Sequence, residues 1–130
     1  DVTGNRALTV LNCSDNELAS LNLDNNSKLL MLGCGFNRLT ELYVRGNVLL
    51  ENLNCQSNML DFLDLSRNTS LLRLHCANNQ LTSLDLSAQP GSQCQYLDCT
   101  NNPWLFELWL RKGQDTSLFS MDEHTQVRYR

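Results

Sequence analysis

No stretch of this 130-residue chain approaches the roughly 18 to 20 consecutive apolar residues that a bilayer-spanning helix needs, so direct membrane insertion through a helix is not expected. Its cysteines form no CxxC pair, which removes the common framework of a structural zinc site. The six glycines never cluster into a phosphate-cradling loop, nor into the Gly- and Asp-rich loop that holds a hard cation. Positive charge is scarce as well. The formal net charge is −4, and the only local basic group, Arg111, Lys112, Arg128 and Arg130, reads as a solvated end, so a nucleic-acid partner is not expected. Histidine occurs twice. His75 adjoins Cys76, but alternation along an extended segment sends the two to opposite faces, where they cannot act as a nucleophile and base. His124, with Asp122 and Glu123 beside it, reads as a solvated polar turn. No enzyme activity, cofactor or metal is expected from this inventory.

What the chain does have is a period. Leu8, Leu29, Leu50 and Leu71 lie 21 residues apart, and the same step aligns Cys13, Cys34, Cys55 and Cys76, then Asn16, Asn37, Asn58 and Asn79. A complete unit is LENLNCQSNMLDFLDLSRNTS, from Leu50 to Ser70, in which LxxLxCxxN is followed by LxxLxLxxN. Counting back from Leu8 places Val2 and Asn5 in the last columns of a preceding unit. Residues 1–7 therefore read as the tail of a truncated upstream repeat, and the chain as a piece of a longer protein. A start inside a repeat means that the missing signal peptide says nothing about export.

A 21-residue coil cannot bury its own leucines, so neighbouring coils must stack into a solenoid. The fold class expected is mainly β: a parallel β-solenoid of short strands and turns in a single domain, with about five coils over residues 8–110 and a C-terminal cap over 111–130. Apolar residues spaced by three, two, five and three do not form a helical stripe. Each LxCxxN segment is expected to contribute one strand, and the second halves a more irregular row on the opposite side. The asparagines should close the turns by satisfying backbone groups. Cys13, Cys34, Cys55, Cys76 and Cys99 share a face with the column leucines, which makes them a ladder of buried thiols, all slow to react in the native state. SAQPGSQCQ lengthens the period, with Pro90 and Gly91 marking a protruding loop, Gln89 in an asparagine column and Cys94 in a leucine column. Asp64 and Asp85, one coil apart, read as solvated or bonded to their local backbone.

The motifs LENLNCQSNMLDFLDLSRN and LLRLHCANNQLTSLDLSAQ resemble the 21-residue bacterial class of leucine-rich repeat known as the IRREKO type. NNPWLFELWLRKGQ is similar to the ending of such domains in surface proteins and lipoproteins of Bacteroides and its relatives. This resemblance implies a noncatalytic recognition domain, extracellular or on the outer cell surface.

Function is sought in what varies between repeats. The solvent-facing rows on the cysteine side are Val10, Met31, Asn52, Arg73 and Tyr96, then Asn12, Gly33, Asn54, His75 and Asp98. Within and beside them Met31, Phe36, Arg73, His75 and Tyr96 are of types that anchor interfaces. They are the candidate partner-binding residues. The partner expected is a protein, a host extracellular protein included, with a glycan as the second candidate; a rigid spacer without its own ligand is the alternative. The opposite side offers Glu41, Tyr43, Arg45, Phe62, Arg67 and Trp109. A first coil without a cap would also favour end-to-end self-association.

Overall fold

In the computed structural model, which describes residues 1–90 and 93–130, the chain winds as a parallel β-solenoid. Part of the loop expected at Pro90 and Gly91 lies outside the described residues. The leucine-rich repeat dictates the winding. Each first half is extended just long enough for three residues to pair: β1 (Val10–Asn12), β2 (Met31–Gly33), β3 (Asn52–Asn54) and β4 (Arg73–His75). The chain then turns through the second half, where β5 (Ser83–Asp85) forms, and returns as β6 (Tyr96–Asp98). β7 (Glu107–Leu110), β8 (Phe119–Ser120) and β9 (Gln126–Tyr129) complete it. One sheet has the order β1-β2-β3-β4-β6-β8, the other β5-β7-β9. All pairs are parallel, and Val10, Met31, Asn52, Arg73 and Tyr96 are successive register partners. Among the described residues no helix forms.

The stack is one rung taller than the five expected. Residues 111–130 cover the end by making a further turn: β8 adds to the first sheet through Leu97↔Phe119, and β9 to the second through Leu108↔Val127. Phe119 and Val127 pack on the core where earlier coils use leucine, and Met121 where they use cysteine, which hid the coil from the repeat pattern. Asp122 is more than a solvated turn residue, because its carboxylate accepts hydrogen bonds from the backbone N–H groups of Asn101 and Asn102, both at 2.9 Å.

The core lies between the two sides of the coil, and Leu29, Leu50 and Leu71 are fully buried. Two columns of asparagine hold adjacent coils together. In the first, Asn58 donates to the carbonyls of Cys34 and Cys55, both at 3.1 Å, and accepts from the Leu39 N–H at 3.0 Å. Asn79 repeats this one coil on, with Cys55, Cys76 and Leu60. Each bond serves a backbone group buried by the turn, where an unmade bond costs about 1–3 kcal/mol. In the second column Asn47 and Asn68 donate to carbonyls of the preceding coil, and Gln89, one carbon longer, still reaches the Leu65 carbonyl at 3.4 Å.

The ladder of thiols follows the same geometry. Cys34, Cys55, Cys76, Cys94 and Cys99 are buried and unbridged. Cys13 departs from the expectation that all are shielded: in the first rung, with a coil packed on one side alone, it is half-buried.

Candidate functional site

The six-stranded sheet presents two outward rows. In the row Asn12, Gly33, Asn54, His75, Asp98 three members do the same local work: Asn12 accepts from the Ser14 N–H, Asn54 from that of Gln56, and Asp98 from that of Thr100, at 3.1 to 3.2 Å. Gly33 and His75 do not. His75 instead stacks on Tyr96, ring centroids 4.7 Å apart and planes inclined by 32°. Gly33 suits a crowded position, since a Cβ there would lie 3.1 Å from Asn12 Oδ1 and 3.3 Å from Ser14 Oγ.

Around Gly33 the sheet forms a shallow depression of about 390 Å³, with Met31, Arg73 and His75 among its walls and Val10 and Asn52 lining it too. Of the five residues singled out from sequence, these three share the depression. Tyr96 adjoins it, paired in register with Arg73 and stacked on His75. Arg73 makes no salt bridge among the described residues, so its charge faces solvent. Phe36 sits apart on the neighbouring turn, half-exposed. Val10, Gly33 and Asn52 were placed in the outward rows but not among the binding candidates, because each is unremarkable by type; the signal of Val10 and Asn52 was their row, which otherwise holds Met, Arg and Tyr, and that of Gly33 its place beside His75 in the next.

Phe36 has a further peculiarity. Its φ is 55°, in the left-handed region, as for Asp15, Ser57, Asn78 and Asn101 at the equivalent turns. Asn and Asp tolerate that conformation because their side chains bond locally, whereas a bulky aromatic there is a steric outlier. Strain of this sort concentrates at functional positions.

The neighbouring Cys and His of the fourth repeat are not brought together. His75 is in the outward row while Cys76 is fully buried, so the two do not meet. Burial pushes the Cys34 and Cys99 thiols up to about 12 and Cys94 to about 11, and moves Cys55 and Cys76 well above the ordinary 9.0. Such thiols are not thiolate nucleophiles at neutral pH. Asp64 and Asp85 accept the backbone N–H groups of Ser66 and Ser87, at 3.0 and 2.8 Å, as expected of residues bonded to their local backbone. The Ser66 bonds, more than the Arg45 charge beside it, hold the Asp64 carboxyl below its usual range.

No family model matches the chain, and no curated protein matches it. A solved structure does. The chain is similar to the functional domain of InlJ from Listeria monocytogenes, described as including a cysteine ladder, with a TM-score of 0.71 and 28% identity over 98% of this chain. It spans 28% of that chain's length. The column of thiols from Cys13 to Cys99 and the coil geometry are the features the two share in kind. Among the described residues no helix is long and apolar enough to cross a membrane.

Proposed function

We propose that the chain is a noncatalytic recognition module of a bacterial surface or secreted protein, a leucine-rich repeat domain of the 21-residue class that binds a protein partner through its six-stranded sheet. One observation carries this reading. On a scaffold where Asn12, Asn54 and Asp98 bond to their own backbone, Met31, Arg73 and His75 wall a single depression, and Tyr96 stacks on His75 beside it. Arg and Tyr are the types that dominate binding energy at interface centres. Phe36 adds an exposed aromatic kept at a conformational cost. Similarity in fold to the functional domain of InlJ, which also includes a cysteine ladder, supports reading the chain as a module of a bacterial repeat protein.

The test is a pull-down of host extracellular proteins and polysaccharides on immobilised domain, beside the double variant Arg73→Ala, Tyr96→Ala. A partner held by the wild type and weakened roughly tenfold or more by the variant is the expected result, since two hot-spot truncations cost on the order of 2 kcal/mol together. A partner retained equally by both would move the interface off this sheet. No partner for either would favour the rigid spacer.

A further inference from the structure

We infer that the opposite side of the solenoid carries a second site, a trough that binds a neutral oligosaccharide. The second halves stack Glu41, Phe62, Ser83 and Glu107 in one outward row and Tyr43, Asp64, Asp85 and Trp109 in the next. The fourth coil contributes only small side chains, Ser83, Asp85 and Ala88, so a cleft of about 500 Å³ opens between Phe62 on one side and Trp109 on the other. It shares Phe62 and Asp64 with an adjoining cleft of about 590 Å³ that reaches Tyr43. Three aromatic side chains thus punctuate one continuous track along the solenoid axis. Phe62 and Trp109 stand in adjacent rows two rungs apart, about 10 Å along the axis. The cleft between them has room for a saturated ring.

The charges decide what kind of ring. Each carboxylate lining the cleft between Phe62 and Trp109 has a guanidinium: Asp64 with Arg45 at 3.5 Å, Asp85 with Arg130 at 2.9 Å, and Glu107 with Arg128 at 3.7 Å, while in the adjoining cleft Glu41 accepts the Tyr43 hydroxyl at 2.7 Å. Arg130 reaches its partner across Trp109, with its Cζ 4.2 Å from the ring centroid, and the indole N–H donates to Glu107 at 3.2 Å. Balanced pairs leave no net demand for an anion or a cation. They do present carboxylate acceptors and guanidinium donors side by side, at half-exposed positions where a hydroxyl can reach both. A sugar meets both conditions: its hydroxyls give and accept hydrogen bonds around the ring edge, and its C–H face stacks on an exposed aromatic such as Phe62, which is 61% accessible. A peptide would want deep apolar pockets for its side chains. An acidic polymer would meet the carboxylates, and a basic one the arginines.

The experiment is calorimetric titration of the folded domain with cellohexaose, laminarihexaose and mannohexaose, and with hexagalacturonate and hexaarginine as charged competitors. At least one neutral hexasaccharide is expected to bind. Phe62→Ala and Trp109→Ala should each weaken it tenfold or more, while Trp104→Ala and the Arg73→Ala, Tyr96→Ala pair leave it unchanged. Phe62 is an exposed side chain, so its removal keeps the fold, which circular dichroism checks. Failure of all three neutral probes, binding that survives both aromatic truncations, or binding of a charged probe alone would each overturn the proposal. The sheet-face partner can fail without affecting this result, because the two sites share no residue.

Discussion

Raising the pH should unfold this protein well before its backbone chemistry is at risk, because five buried thiols must stay neutral to stay inside. In the unfolded chain a cysteine ionises near 9.0; in the fold Cys94 is held up to about 11, Cys34 and Cys99 to about 12, and Cys55 and Cys76 well above the ordinary value, with burial the leading cause in each. The folded value lies above the unfolded one, so this contribution to stability is whole below pH 9 and is lost as pH climbs from 9 toward 12. At pH 10 each thiol kept neutral by the fold favours the unfolded state by roughly 1 kcal/mol, and the five together by several, against a small fraction of that at pH 8. That is comparable to the 5–15 kcal/mol of a typical domain. Urea denaturation in the presence of reductant, at pH 8, 9 and 10, reads the effect as a steep fall in midpoint. Replacing Cys55 by alanine isolates it: whatever the variant loses at pH 8, its further loss between pH 8 and 10 should be smaller than the wild type's by roughly 1 kcal/mol. Equal midpoints at pH 8 and 10, or an undiminished alkaline loss in Cys55→Ala, would refute the argument.

Asn79→Ala should destabilise by about 2–4 kcal/mol, since the buried Leu60 N–H loses its acceptor while the Cys55 and Cys76 carbonyls each keep one other asparagine donor. Thermal or urea unfolding measures it, and a loss below about 1 kcal/mol would show that the asparagine column is not what joins the coils. Phe36→Asn should stabilise by about 1 kcal/mol, by placing at φ 55° a residue that tolerates it, and at the same time weaken the sheet-face partner. A drop in stability would mean that the aromatic ring packs more than it strains.

Much of the coil was legible from the residue columns. A leucine every 21 residues has one way to be buried, by repetition of the same turn, so Leu29, Leu50 and Leu71 could be placed inside and Met31 and Arg73 outside before any contact was known. The same periodicity placed the thiols inward and gave the asparagines their backbone partners, because both follow from local geometry repeated in register. The last coil was legible only in part. Val127 and Tyr129 alternate with charged residues as an edge strand does, and β9 forms there, but Phe119 takes its apolar position without a leucine, cysteine or regular spacing to announce it, and the neighbouring strand alone selects it. The left-handed turn at Phe36 was hidden for a similar reason: the polar residues at the other turns suggest it, but the residue itself does not.

The two candidate sites divide the same way. That outward rows existed, and which side chains occupied them, was determined by alternation along the chain. Which of those side chains meet was decided by tertiary structure: His75 lies on Tyr96 across 21 residues of chain, and Phe62 faces Trp109 across 47. Arg130 finds Asp85 and Trp109 only because the sixth rung folds back beside the fifth. The inside of a solenoid is set by one repeated solution to burial, which a single sequence states many times over. Its surface chemistry is set by the stacking of different coils, and each juxtaposition there occurs once.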